Sequence, residues 1–288
     1  MPDIDNINHV GMAVRDLAQT VARFEAMGFQ LTPYSPHSGA WKPGAPVQSF
    51  GSGNRCVMFS ENYLEILGSE DPARPNPRLS KFLSRHQGAH IVCFNTEAPS
   101  ALNERLIRMG IGTSGVIPLQ RDIDTADGLK TAKFERVQFS VDDSPEGYIQ
   151  AARHLTPEYI YQKRYIKHPN NCTSLSEAII AVDGDIDGWI SRYAKYLEID
   201  CERYDGFARF RLPTGTILTI AASERAAQLV PASLMPPLPA IIAVAFRAPD
   251  LNSVGDRLVA NGFTITDVDD RLVVPAEEAS GVAVMFGE

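Results

Sequence analysis

The chain has 288 residues, enough at roughly 100 to 200 residues per domain for about two domains, each able to bury its own core. With 27 Lys and Arg against 35 Asp and Glu, a net charge of −8 and a pI near 5.3, it has no broad basic surface to neutralise a phosphate backbone, which argues against nucleic-acid partners. No apolar run reaches the roughly 20 residues of a membrane-spanning helix. The N-terminus has neither the basic region nor the apolar stretch of a signal peptide, so a cytoplasmic location and no membrane partner are expected.

Four separated cysteines form no Cys-x-x-Cys pair, so neither a thiolate zinc site nor a disulfide framework is indicated. All six histidines (His9, His37, His86, His90, His154 and His168) fall in the first 168 residues. Histidine-borne chemistry therefore belongs to the first half.

In chain order, Ile7–Val14 reads as a strand, and Asp16 caps a helix over Leu17–Met27 that stops at Gly28. Gln30–Thr32 reads as a second strand. After a Pro-, Ser- and Gly-rich loop (Pro33–Gly53), Arg55–Ser60 and Tyr63–Leu67 read as a hairpin. This βαβββ order recurs three times. The second copy has strands at Ala89–Asn95, Gly115–Leu119, Ala132–Val141 and Gly147–His154, with a helix over Ala98–Met109. The third has strands at Glu177–Val182, Ala208–Leu212 and Ile217–Ala221, with a helix over Ile186–Leu197. The fourth has strands at Ile241–Arg247, Thr264–Asp267, Leu272–Val274 and Val282–Phe286, with a helix that Asp250 caps and that runs to Ala260. The helix ends EAMGF, IRMGI and VANGF match one another. An internal repeat of this length defines the fold: α+β, four βαβββ modules paired into two cupped mixed-sheet domains. The expected boundaries are 1–155 (modules 4–70 and 88–155), a linker 156–173, and 174–288 (modules 174–224 and 240–288). Pro-rich segments at 71–85 and 231–239 divide the modules within each pair.

A polar residue in an apolar strand costs roughly 1–3 kcal/mol unless it finds a partner. His9, Glu65, His90 and Gln150 each occupy such a strand. Aligned module on module, His9 matches His90 and Glu65 matches Gln150, and together they form a plausible set for a divalent ion. His154 lies four residues beyond Gln150, on the same face of the strand, and is a rival fourth ligand or an acid/base.

The runs NHVGMAVRDL, the Gly-Phe at the helix end, NYLEIL and GAHIVCF resemble the vicinal oxygen chelate superfamily. That group includes glyoxalase I, methylmalonyl-CoA epimerase, extradiol dioxygenases and bleomycin-binding proteins. The resemblance implies one divalent ion (Zn, Mn, Fe or Co) held by His9, Glu65 and His90, with Gln150 fourth where many relatives have Glu. It implies Glu65 and His154 as catalytic groups, and a metal-dependent isomerase or lyase that stabilises an enolate of a small oxygenated, carboxylated metabolite. A non-haem iron dioxygenase using His9, His90 and Glu65 and a non-catalytic drug-binding protein are the alternatives.

Asn54, Arg55, Tyr159, Tyr161 and Arg164 are candidate substrate contacts, since Arg grips a carboxylate through two bonds. His37, in the long loop, could reach the pocket mouth. The first strands of the second half, EAIIAV and IIAVAF, are read as carrying no His and no internal carboxylate, so that half is expected to be a ligand-free module. The partners expected are a small-molecule substrate and, at most, a second copy of the chain, as monomer or homodimer.

Overall fold

The computed structural model describes residues 3–39, 48–69, 77–140 and 143–288. Part of the expected long loop (40–47), part of the first Pro-rich segment (71–76) and Val141 at an expected strand end lie outside the described residues.

The first sheet contains β1 (Asn6–Ala13), β2 (Ser35–Gly39), β3 (Gln48–Met58), β4 (Tyr63–Gly68), β5 (Gly88–Asn95), β6 (Ile117–Thr125), β7 (Gly128–Gln138) and β8 (Tyr148–His154), in the order β2-β3-β4-β1-β5-β8-β7-β6. The second contains β9 (Ser174–Val182), β10 (Glu202–Tyr204), β11 (Phe207–Arg211), β12 (Ile217–Ala222), β13 (Ala240–Arg247), β14 (Thr266–Val268), β15 (Arg271–Val274) and β16 (Ala283–Gly287), in the order β10-β11-β12-β9-β13-β16-β15-β14. Each unit supplies four adjacent strands. The units of a pair meet through their first strands, β1 against β5 and β9 against β13, both antiparallel. The helices are α1 (Leu17–Ala26), α2 (Pro77–Arg85), α3 (Pro99–Arg108), α4 (Pro157–Ile160), α5 (Ile186–Leu197), α6 (Ser223–Leu229) and α7 (Leu251–Ala260). The four-module α+β architecture is therefore present.

Local chemistry explains the repeated helices. Asp16 accepts from the Gln19 amide at 2.8 Å and Asp250 from the Ser253 amide at 3.0 Å, side-chain caps that satisfy orphan N–H groups. Gly28 follows α1 at φ +90°, where a side chain would be strained.

The structure differs from expectation in four places. Gln30–Thr32 is irregular: Thr32 bonds Cys56 through its amide and its hydroxyl but starts no ladder, and the second strand is Ser35–Gly39. The expected linkers contain α2 and α4. Three-residue β10 is wholly exposed and has no alternation to read. α6 follows β12 directly, where the sequence pattern announces no helix.

The inner junction of each sheet carries two register shifts, at equivalent places. Asn8 and His90 are skipped in the β1–β5 pairing, and Ser176 and Ile242 in β9–β13. An extra residue in one strand turns all that follow to the opposite face, so these shifts decide which side chains face the cups.

Between the two sheets lies one apolar core. Phe29 after α1 packs on Phe246 of β13 and Phe286 of β16, with ring centroids 4.7 and 5.9 Å apart. Arg105 of α3 is buried against Asp3 at 2.7 Å and donates to the Lys195 and Tyr196 carbonyls of α5. Asn62 exchanges two hydrogen bonds with Leu175.

His168 fastens the connection between the halves. Its Nδ1 accepts from the Gln30 amide at 3.0 Å, so Nε2–H donates to the Met58 carbonyl at 2.9 Å. Burial lowers its pKa below 6.5, because a proton on Nδ1 would have no acceptor. The folded state thus refuses a proton that the unfolded state takes below pH 6.5, so this contribution to stability is present above pH 6.5 and declines as pH falls. Denaturant titrations of His168→Ala are expected to show a loss of about 1–3 kcal/mol at pH 7.5 and a shallower decline below pH 6.5 than in the wild type.

Candidate functional site

The concave face of the first sheet encloses a cavity of about 330 Å³, within the size range of small-molecule sites. From the first unit it receives His9, His37, Tyr63 and Glu65, and from the second Gln150 and His154. Among the described residues three arginines, Arg78, Arg121 and Arg136, share it with one carboxylate.

β1 and β4 run parallel, with His9 beside Tyr63 and Gly11 beside Glu65. His9 stacks on the Tyr63 ring at 4.6 Å. Its Nδ1 lies 2.8 Å from Asn8 Oδ1. The Asn8 amide nitrogen in turn faces Asn95 Oδ1 and the Tyr161 hydroxyl, so Asn8 Oδ1 is the acceptor and His9 carries its proton on Nδ1. Nε2 is left with a lone pair. Burial lowers the His9 pKa to about 4 even against the attraction of Glu65, so the ring is neutral at ordinary pH.

Burial alone would raise the Glu65 pKa, but His9, His37 and Arg121 act on it and the Asn54 amide donates to Oε1 at 2.5 Å. Together they hold the carboxyl below its ordinary value and ionised. Burial also lowers His37 to about 4 and His154 to about 3. His154 sits among Tyr63, Phe134 and Tyr161, and its Nδ1 is buried without a partner.

His90 is not brought to the cavity. As the skipped residue of β5 it corresponds to Asn8, and Ile91 takes the position of His9: Ile91 lies beside Tyr148, as His9 lies beside Tyr63. The module offset is therefore 82 residues at this strand, one more than the sequence alignment assumes. His90 is buried beside the cavity, where it stacks on Phe82 and His86 and bonds the His86 carbonyl at 2.9 Å.

Of the expected substrate contacts, Asn54 reaches the site through Glu65. Tyr161 acts one step removed, holding Asn8, which holds His9. Arg55 donates to the Thr32 carbonyl at 2.8 Å, Arg164 pairs with Asp124 at 3.1 Å, and Tyr159 packs in a satellite apolar cluster. None of these three lines the cavity. Arg121 and Arg136 are the residues that sequence reasoning missed. They stand on the β6–β7 hairpin, whose charged residues read as a solvated face. The usable signal was alternation: Phe134, Arg136 and Gln138 share one side of β7.

The profile of the glyoxalase-like domain family matches residues 7–197, two thirds of the chain. The chain belongs to that family. Among curated protein sequences none matches this glyoxalase-like chain. Solved structures share its fold. A hypothetical protein from Staphylococcus aureus aligns over 97% of this chain and 98% of its own, with TM-score 0.64 and 13% identity. A mutant 4-hydroxymandelate synthase from Streptomyces coelicolor aligns over 99% and 92%, with TM-score 0.55 and 12% identity. A xylose isomerase-like TIM barrel/4-hydroxyphenylpyruvate dioxygenase fusion protein aligns over all of this chain and 50% of its own, with TM-score 0.59 and 12% identity.

The ion that the superfamily resemblance implies can be tested against the donors in place. The four positions that follow the register shifts and their partner strands hold His9, Glu65, Ile91 and Gln150, one histidine short. Gln150 Oε1 faces Arg136 at 3.4 Å. Among the described residues no group of three His, Cys, Asp or Glu side chains is placed to hold a metal. His37 and His154 line the same cavity, but among the described residues the donors as placed do not gather to fit a divalent ion in this glyoxalase-like cup. Ile91→His is expected to create stoichiometric zinc binding where wild type and His90→Ala show none, measured by metal analysis after zinc dialysis. One zinc per wild-type chain that His90→Ala loses would contradict this placement.

Proposed function

We propose that the first cup is the active site of an enzyme of isomerase or lyase type acting on a small oxygenated metabolite, with proton transfer at Glu65 and arginine in the charge-stabilising role. The observation that carries this reading is a half-buried, ionised carboxylate in a cavity that Arg78, Arg121 and Arg136 also line.

Glu65 takes the proton from a carbon next to a carbonyl. The C–H electron pair moves into the new C–C double bond and the carbonyl π pair onto oxygen, giving an enolate. A guanidinium meets that developing charge where little water competes, and such prearranged donors are the largest catalytic contribution in many enzymes. Return of the proton to the same carbon from the other face completes an epimerisation. Where that carbon bears a hydroxyl, protonation of the former carbonyl carbon as the hydroxyl gives up its proton and becomes the new carbonyl completes an isomerisation. Departure of a β-substituent completes an elimination. Neutral His9 holds an unprotonated Nε2 beside Glu65 and relays the proton. The apolar walls exclude water during the exchange.

The oxygenase alternative, with His9, His90 and Glu65 on one iron, is the second reading: the fold shared with a 4-hydroxymandelate synthase favours it, and the packing of His90 on Phe82 and His86 rather than in the cavity weighs against it. Non-catalytic binding remains as an outcome of the test. The chain, stripped of metals by chelation, is incubated in D2O with a panel of 2-oxo and 2-hydroxy carboxylates, and loss of the α-proton signal is followed by NMR. Exchange with at least one member is expected, reduced by about 100-fold or more in Glu65→Gln. Exchange that returns only on adding a divalent ion would overturn the arginine-based reading. Saturable binding without exchange would make the protein a binder.

A further inference from the structure

The two cups are copies of one another, and the second shows what the first lacks. Counting from the register shifts, Glu177 of β9 occupies the position of His9, and Thr219 of β12 that of Glu65, because Glu177 lies beside Ile217 as His9 lies beside Tyr63. On the outer strands, Gln138 lies opposite Gln150 and Val273 opposite Met285. Two residues earlier stand Arg136 and Arg271. They are the same residue of the repeat.

β9 begins at Ser174, three residues earlier than the sequence pattern indicates, so Glu177 lies inside the strand. The expectation of no internal carboxylate in this half is thereby corrected. Glu177 is 1% exposed. Its carboxylate accepts from Arg271 Nη1 and from the Thr219 hydroxyl, with Arg209 at 4.0 Å. This cup is also filled: α6 places Ala226 and Leu229 against Ile179, Ala245 and Met285.

In the first cup the corresponding arginine has no such partner. Arg136 donates to two neutral groups, the Tyr148 hydroxyl and Gln150 Oε1, and among the described residues it forms no ion pair. The charge of Glu65 is met by Arg121 and by the Asn54 amide, with His9 and His37 adding attraction only when protonated, and Arg136 is not among the groups acting on it. Nearby, Arg121 Nε is buried without a hydrogen-bond partner. Where α6 plugs the second cup, α2 stands at the side of the first, and its Leu79 and Phe82, with Leu67 and Ile91, form an apolar wall.

We infer that Arg136 is the carboxylate-recognising residue of the first cup, and that the ligand is a small carboxylate with an apolar body, its charged end bound where the other half of the chain supplies Glu177 and its body lying against α2. An Arg–carboxylate pair screened from water gains strength and discriminates sharply against a neutral isostere, because a buried guanidinium left unpaired is costly. The inference rests on the cup being the substrate site, as proposed above, but binding and proton transfer fail independently and can be read separately.

The test uses 3-phenylpropanoate, its neutral amide and acetate, none of which asks for turnover, with affinities from isothermal titration calorimetry on the whole chain. Wild type is expected to bind 3-phenylpropanoate at least ten-fold more tightly than the amide or acetate. Arg136→Gln should bring the acid-to-amide ratio close to one, and Arg136→Lys should restore part of it. Phe82→Ala should weaken acid and amide alike and leave their ratio unchanged. Arg271→Gln should lower the unfolding temperature and leave binding intact. Equal binding of acid and amide by wild type, no binding of either at millimolar concentration, or a folded Arg136→Gln that discriminates as wild type does would overturn the assignment. Glu65→Gln separates the two claims: loss of proton exchange with binding retained supports both, whereas binding retained with exchange unchanged overturns only the proton-transfer reading.

Discussion

A carboxylate withdrawn from water into the cup of a sheet must be met by cations or donors, because desolvating it alone costs several kcal/mol. Both halves of this chain solve that problem on the same scaffold, and they solve it differently. In the second, Glu177 is closed off by Arg271 and Thr219. In the first, Glu65 is held by Asn54 and by neighbours that leave an arginine over. The first arrangement is incomplete: among the described residues Arg136 forms no ion pair.

The consequences for packing follow the same division. Small residues line the inner strands of the second cup, among them Ala181, Ala243 and Ala283, and leave room for α6 to seat Leu229. In the first cup the positions of Ala243 and Ala283 hold the larger Ile91 and Tyr148, and α2 reaches it with Leu79 and Phe82 at one side. One cup is packed with apolar side chains, and a cavity is kept in the other. The shared core around Phe29, Phe246 and Phe286 ties the open cup to the sealed one, so the open half does not depend on its own interior alone.

The repeat was legible in the sequence because strand alternation, Asp caps and Gly stops are local signals that recur in order, an Asp cap in three modules and a Gly stop in three. Glu65, His9, Gln150 and His154 were legible as polar residues in apolar strands, and the structure places all four around one cavity. Facing was not legible where it depends on the register between strands. The shift at His90 is a property of the β1–β5 pairing, which neither strand reveals alone, and it substitutes Ile91 for the expected histidine. Arg136 escaped for a related reason: in the sequence it is one charge in a charged hairpin, and only pairing with β8 turns it inward. Glu177 reads as a strand edge because the apolar run that marks β9 starts only after it, whereas the strand begins at Ser174.

The central claim is that the first cup is an open form of the second, with a ligand carboxylate on Arg136 in the role that Glu177 plays on Arg271. A crystal structure of the whole chain with bound 3-phenylpropanoate, its two halves superposed, tests this most directly. The account predicts the ligand carboxylate within hydrogen-bond distance of the Arg136 guanidinium, in the part of the cup that the Glu177 carboxylate fills in the other half. A carboxylate bound instead to a metal ion on His9 and Glu65, or lying outside the cup, would contradict it.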